Sequence, residues 1–319
     1  MRILITGANG FVGPYVCEAI AQIFGRTAVT IPTARDRCDD PLLGPLAGLD
    51  ITDPVAVDAA ITDVNPDVII HLAGIAAPAV ANSDWKEAWR IHVSGTLNIA
   101  HAVLRRAPDC VLLSVGSGLV YGDSARSGAP MDEATLLAPM DEYASTKAAA
   151  DLALGALASR GLRAIRIRPF NHTGPRQSDG FFLPNMAMQI ARIEAGLQPP
   201  VIKVGNLEAE RDFLHVRDVA KAYALAVRNA GSLPSGAILN IASGTAYKMR
   251  TLLDRLLATA NVGIRVEQDP ARMRPADLPR IVGNPGLAHR LLGWTPRYCI
   301  DEILAEVLGH CRGIVSAQR

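Results

Sequence analysis

The chain has 319 residues, of which 49% are hydrophobic and 20% charged, and its net charge is +1. That composition supports a large buried core and offers no basic face for nucleic acid or an anionic membrane. Cys17, Cys38, Cys110, Cys299 and Cys311 are odd in number and show no C-x-x-C spacing, which argues against a disulfide frame or a metal site.

The first element sets the organisation. Ile3, Leu4 and Ile5 form a short apolar run that enters Thr6-Gly7-Ala8-Asn9-Gly10-Phe11-Val12-Gly13, followed by apolar residues at helical spacing (Val16, Ile20, Ile23). Three glycines between a buried strand and a helix are the signature of a dinucleotide site. Gly7 serves the tight turn, Gly10 leaves room for a pyrophosphate and Gly13 permits close packing of helix on strand. Pro14 is compatible with a first helical turn, which has no use for its missing N–H. Gly7, Asn9, Gly10, Phe11, Val12 and Gly13 are the expected phosphate-side contacts.

A second strand is expected over residues 27–31, ending in Pro32-Thr33-Ala34-Arg35. A hydroxyl and an Arg at that end suit an adenosine 2′-phosphate, so Thr33 and Arg35 favour NADP(H); nearby Asp36 keeps NAD(H) possible. Residues 41–48 read as a Pro/Gly-rich loop. Asp50 and Ile51 should border the adenine, and Asp53-Pro54 opens a helix. Residues 67–74 carry a fully apolar strand whose small end (Leu72, Ala73, Gly74) admits ribose and phosphate. His71 on it reads as a packed strand residue. One long helix is expected over 85–106, then a strand over 110–115 that runs into Gly116-Ser117-Gly118-Leu119-Val120-Tyr121-Gly122.

Tyr143 and Lys147 are four apart on the next predicted helix and share a face. An ammonium beside a phenol favours the phenolate, the pairing an acid/base at a carbonyl needs.

Taken together, Thr6 to Gly13, Ser117 four residues before Tyr121-Gly122, and Tyr143/Lys147 resemble the motifs of the extended short-chain dehydrogenases/reductases acting on nucleotide sugars. The resemblance runs over nearly the whole chain. It implies that Tyr143 exchanges a proton with a sugar oxygen, that Lys147 holds the nicotinamide ribose, and that Ser117 bonds the same oxygen as Tyr143. The segment from Arg166 to Pro175 resembles the family's strand beneath the nicotinamide, with Pro169 on the cofactor and Asn171 on the substrate. Gly205-Asn206-Leu207-Glu208-Ala209 with Arg211-Asp212, and Arg272-Met273-Arg274-Pro275, are similar to the GDP-mannose branch of that family. This implies a substrate set of Ser117, Asn171, Asn185, Lys203, Arg211 and Arg274, in which Arg211 and Arg274 clamp a diphosphate.

Within that branch, 4,6-dehydratases place a Glu two positions after the Ser/Thr. Gly118 and Leu119 stand here and move no proton, which disfavours dehydration. Cys110 lies upstream on a buried strand and reads as packing, not as an epimerase acid/base. Reduction of a C4 ketone remains, with reversible 4-epimerisation as the alternative. A non-catalytic dinucleotide sensor would not keep the Tyr/Lys pair. One departure stands out: Ile91-His92-Val93 occupies a segment in which the family usually has Asn at the position of His92.

The expected fold is α/β, a Rossmann-type doubly wound parallel sheet with a smaller α/β substrate-binding lobe. Residues 1–170, joined by 213–242, would bind the cofactor; 171–212 and 243–319 would bind the nucleotide sugar. The expected partners are a GDP-sugar and a second copy of the chain, with no nucleic acid and no membrane, in the cytoplasm.

Overall fold

The computed structural model describes residues 1–272 and 278–318. Its strands are β1 (Arg2–Thr6), β2 (Val29–Ala34), β3 (Cys38–Asp40), β4 (Gly44–Gly48), β5 (Val68–His71), β6 (Val111–Val115) and β7 (Arg163–Pro169). They continue with β8 (Asn171–Thr173), β9 (Val201–Val204), β10 (Glu210–His215), β11 (Ala237–Ile241), β12 (Ala246–Lys248), β13 (Arg265–Gln268) and β14 (Arg280–Ile281). The first helices are α1 (Gly13–Phe24), α2 (Pro54–Val64), α3 (Pro78–Ser83), α4 (Trp85–Trp89), α5 (Thr96–Arg106) and α6 (Glu142–Ala158). Then follow α7 (Phe182–Glu194), α8 (Val216–Arg228), α9 (Met249–Ala258), α10 (Gly286–Leu292) and α11 (Ile300–Ala317).

Eight strands form one sheet in the order β11-β7-β6-β5-β1-β2-β4-β3. Every pairing in it is parallel except β3 with β4. The order reverses beside β1, so a crevice opens beyond the strand C-termini, where a doubly wound sheet takes its ligand. Ile3 and Ile5 face one apolar layer together with Val16, Ile20, Val219 and Tyr223 of α1 and α8. Leu4 faces the other, with Ile61, Ile99 and Val103 of α2 and α5. This alternation is what a strand buried on both faces requires. Away from the large sheet, β10 pairs with β12, β14 and β8, and β9 pairs with β13. A third apolar cluster joins α7, α9 and α11 behind them.

Three elements depart from the sequence reading. β2 runs three residues further than expected, through Pro32 and Thr33 to Ala34. Residues 44–48 are a strand between β2 and the edge strand β3, not loop; Gly44 and Pro45 are tolerated because β4 pairs with β2 only through Ala47 and Gly48. The helix over 85–106 is continuous but not uniform: a π-helical turn, Arg90–Gly95, joins α4 to α5. Gly95 lies in that turn against Ile51, where an added Cβ would come within 2.6 Å of the Ile51 side chain. Asp53 does cap α2, accepting from the amides of Val55 and Ala56.

Candidate active site

The glycine turn after β1 is built by close approach. Gly7 has φ +67°, and a Cβ there would stand 2.7 Å from Ala73 Cα; one on Gly13 would stand 1.9 Å from Ala8 O. Only glycine fits either place. The turn delivers the N-terminus of α1 to a cleft of about 950 Å³ lined by Gly7, Asn9, Gly10, Phe11, Val12 and Gly13. Leu72, Ala73 and Gly74 from the end of β5, and Pro169 from the end of β7, line the same cleft. The volume of the cleft, the glycine floor and the helix N-terminus fit a dinucleotide.

At the adenosine end, Arg35, Asp50 and Ile51 reach the cleft wall. The Asp50 carboxyl accepts from the amide and hydroxyl of Thr52, and these bonds hold it below the usual carboxylate range. Arg35 lies 4.0 Å from Asp50 and 3.9 Å from Glu87. Thr33 is a correction: it is buried inside β2, its hydroxyl donates to Ile5 O, and it does not line the cleft. The extra length of β2 turns it toward β1. Arg90 went unremarked in the sequence, yet it lines the cleft, donates to Thr52 Oγ1 and forks onto both Glu87 oxygens at 2.6 and 2.7 Å.

Deeper in, Ser117, Tyr143 and Lys147 meet on one wall. Ser117 caps a 3₁₀ turn, its Oγ accepting from Leu119 N at 3.1 Å. Tyr143 sits in the first turn of α6, which Asp141 caps, and its own amide donates to Asn82 Oδ1. The phenol is 7% exposed; burial pushes its pKa up, and a hydrogen bond with Ser117 pulls the other way. Lys147, one turn on, donates from Nζ to Val115 O at 3.2 Å, and burial lowers its pKa to about 8. The sequence reading gave Lys147 the task of lowering the phenol pKa. In the structure the Ser117 hydrogen bond draws the phenol pKa down, and the Lys147 ammonium donates to a backbone carbonyl of β6.

The far side of the cleft carries Asn171, Asn185, Lys203 and Arg211. Asn185 donates to Asp179 O, and Arg211 donates to the carbonyls of Glu210 and Leu278, each at 2.8 Å. Beside Arg211, buried Asp212 accepts from the amides of Ser243, Gly244 and Gly283 and from the Ser243 hydroxyl. That carboxylate pins β10 to the loops after β11 and β14. Arg274 lies outside the described residues. Ile75 and Leu119 also line the cleft and pack with Tyr143, an apolar wall that the residues around Ser117 did not announce. Cys110 is buried, its thiol pushed up to about 12, and it is no acid/base of the cleft. His71 is buried between Thr6 and Thr96, as expected of a packed strand residue.

A dinucleotide cradle with a Ser, a Tyr and a Lys on one wall defines an oxidoreductase of the extended short-chain dehydrogenase/reductase class. Residues 3–242 match the NAD dependent epimerase/dehydratase family, and the chain belongs to it. It is 35% identical to the GDP-6-deoxy-D-mannose reductase of Pseudomonas aeruginosa, over 96% of each chain. It is 28% identical to the UDP-glucose 4-epimerase of Azospirillum brasilense, over 98% of this chain and 92% of that one. The structure of RMD from Pseudomonas aeruginosa complexed with NADPH superposes with a TM-score of 0.84 at 31% identity, covering 98% of both chains.

Proposed function

We propose that the protein reduces the C4 ketone of a GDP-4-keto-6-deoxyhexose with NADPH, taking GDP-4-keto-6-deoxy-D-mannose to GDP-D-rhamnose. One observation carries the reading: Ser117, Tyr143 and Lys147 share a wall of the cleft, while Gly118 and Leu119 leave no further acid or base beside them. That set suffices for carbonyl reduction and not for loss of a C6 hydroxyl. The likeness to the Pseudomonas aeruginosa reductase supports the same reading.

Bound NADPH supplies the hydride that C4 accepts. Tyr143 donates its phenolic proton to the carbonyl oxygen, a task suited to a phenol that burial keeps protonated. Ser117 holds that oxygen and steadies the phenolate left behind. Lys147, cationic at neutral pH, binds the nicotinamide ribose and stabilises the same phenolate. Arg35, Asp50 and Ile51 hold the adenosine, and Leu72, Ala73, Gly74 and Pro169 pack along the dinucleotide. Asn171, Asn185, Lys203 and Arg211, with Arg274, take the GDP-sugar. Residues 1–170 with 213–242 form the cofactor unit in this scheme, and 171–212 with 243–319 the sugar-nucleotide unit.

The protein acts as a homodimer in the cytoplasm. Trp85 is 50% and Leu152 60% exposed on α4 and α6, apolar surface suited to a second copy. The five cysteines are unpaired, as a reducing compartment keeps them. Among the described residues no helix is long and apolar enough to cross a membrane.

The 4-epimerase reading rests on the likeness to UDP-glucose 4-epimerases. The two separate when the protein is given NADPH and GDP-4-keto-6-deoxy-D-mannose: the reductase consumes NADPH mole for mole and yields a GDP-6-deoxyhexose, and an epimerase consumes none.

A further inference from the structure

His92 sits in the π-helical turn Arg90–Gly95 and is 2% exposed. Its two ring nitrogens bridge two parts of the cleft. Nε2 lies 2.9 Å from the amide of Ile75, in the cleft-lining segment that follows β5. Nδ1 lies 2.8 Å from Thr146 Oγ1, on α6 between Tyr143 and Lys147. The hydrogens can be assigned from their partners. The Ile75 amide only donates, so Nε2 is bare. The Thr146 hydroxyl donates to Tyr143 O, so it accepts from Nδ1–H. His92 is therefore the neutral Nδ1–H tautomer, and a proton on Nε2 would evict Ile75. Burial and the neighbouring Lys147 cation lower its pKa to about 3, in keeping with that assignment.

Further neighbours surround the residue. Its plane meets the Tyr143 ring edge-on, with centroids 5.7 Å apart. Thr96 Oγ1 donates to His92 O, and the same hydroxyl pairs with His71, which reaches Thr6 at the end of β1. A Cβ on Gly74 would lie 3.3 Å from both His92 Nε2 and Lys147 Nζ, so ring and ammonium converge on one point of the segment after β5.

We propose that His92 is a positioning residue that sets the spacing between the cofactor-facing segment after β5 and the helix carrying Tyr143 and Lys147. The inference rests on the reductase reading for its catalytic half and on dinucleotide binding alone for the other. The imidazole performs two tasks that an amide divides. Asn in this place reaches as far as Nδ1 and meets Thr146 only; Gln reaches as far as Nε2 and meets Ile75 only.

The two substitutions form the test, read as NADPH Kd by fluorescence titration and as steady-state kcat. His92→Asn releases the segment after β5: NADPH should bind about tenfold more weakly, the scale of one buried hydrogen bond, with kcat within about threefold. His92→Gln releases α6: kcat should fall about tenfold, with the NADPH Kd within about twofold. Thr146→Val, which keeps the side-chain shape, should reproduce the His92→Gln pattern and add little to it in the double variant. Where a His92 variant does not fold, Thr146→Val alone decides the α6 half: kcat down about tenfold with the NADPH Kd within about twofold supports it, and unchanged kcat overturns it. Equal effects of Asn and Gln on both readouts, wild-type binding by His92→Asn, or full additivity with Thr146→Val would each overturn the proposal. The Kd arm needs no sugar, so a wild-type protein that fails to reduce the ketone refutes the function and still leaves the His92 spacing decided.

Discussion

Replacing Arg35 by Ala should convert the protein from an NADPH enzyme to one that no longer distinguishes the two dinucleotides. With Thr33 committed to Ile5 O, the expected 2′-phosphate contact at the end of β2 falls to Arg35. Its side chain is 63% exposed, and its two ion pairs, at 4.0 and 3.9 Å, are long. Exposed pairs of that kind hold the guanidinium weakly, so it can turn to a phosphate at small cost. A charge-assisted contact of this sort contributes about 1.5–3 kcal/mol, roughly ten- to hundredfold in affinity. The substitution also leaves Asp50 and Glu87 facing the phosphate without that cation. NADPH should therefore weaken by about ten- to hundredfold while NADH changes by less than about threefold, and raised salt should shrink the difference. Fluorescence titration with both dinucleotides reads this directly. Parallel losses for NADPH and NADH would refute the assignment of Arg35 to the 2′-phosphate.

Other outcomes follow from the same geometry. Tyr143→Phe removes the proton donor and keeps the ring, so kcat should drop by about 10²–10⁴ with GDP binding by calorimetry little changed; near-normal kcat would mean the proton has another source. The Lys147 pKa is lowered from 10.5 to about 8, so the free enzyme loses this cation as pH rises through about 8. Because the Tyr143 phenol is shifted upward, it stays protonated over that range, and kcat/KM should fall above about pH 8; a profile flat to about pH 10 would contradict this. Asp212→Ala strands the buried amides of Ser243, Gly244 and Gly283 and should cost about 3–5 kcal/mol in denaturant unfolding; a loss below about 1 kcal/mol would show that the carboxylate does not pin those loops.

What could be read from the chain alone was what local sequence determines. Strand, glycine turn and helix are adjacent along residues 3–24, so the cradle was legible residue by residue. The Tyr143/Lys147 pair was legible because one helical turn fixes its geometry. The misread elements depend on distant partners. β4 is a strand because β2 extends beside it and β3 folds back onto it, and Thr33 on that extension donates to Ile5 O. The π-helical turn within the helix over 85–106 carries Gly95 against Ile51, 44 positions away in the numbering, and no periodicity within the helix signals it. Arg90, Ile75 and Leu119 come to the cleft by the same tertiary route. His92 was visible as a departure from a pattern; its two partners, 17 and 54 residues away, were not.

The central claim is hydride delivery to C4 with protonation by Tyr143, and isotope transfer tests it most directly. NADPH carrying deuterium at the transferring position of the nicotinamide is incubated with GDP-4-keto-6-deoxy-D-mannose, and the sugar is examined by NMR. The account predicts one deuterium at C4 of a GDP-6-deoxyhexose for each NADPH consumed, and a rate lowered by about 10² or more in Tyr143→Phe. Product without deuterium at C4, or turnover with no net loss of NADPH, would contradict it.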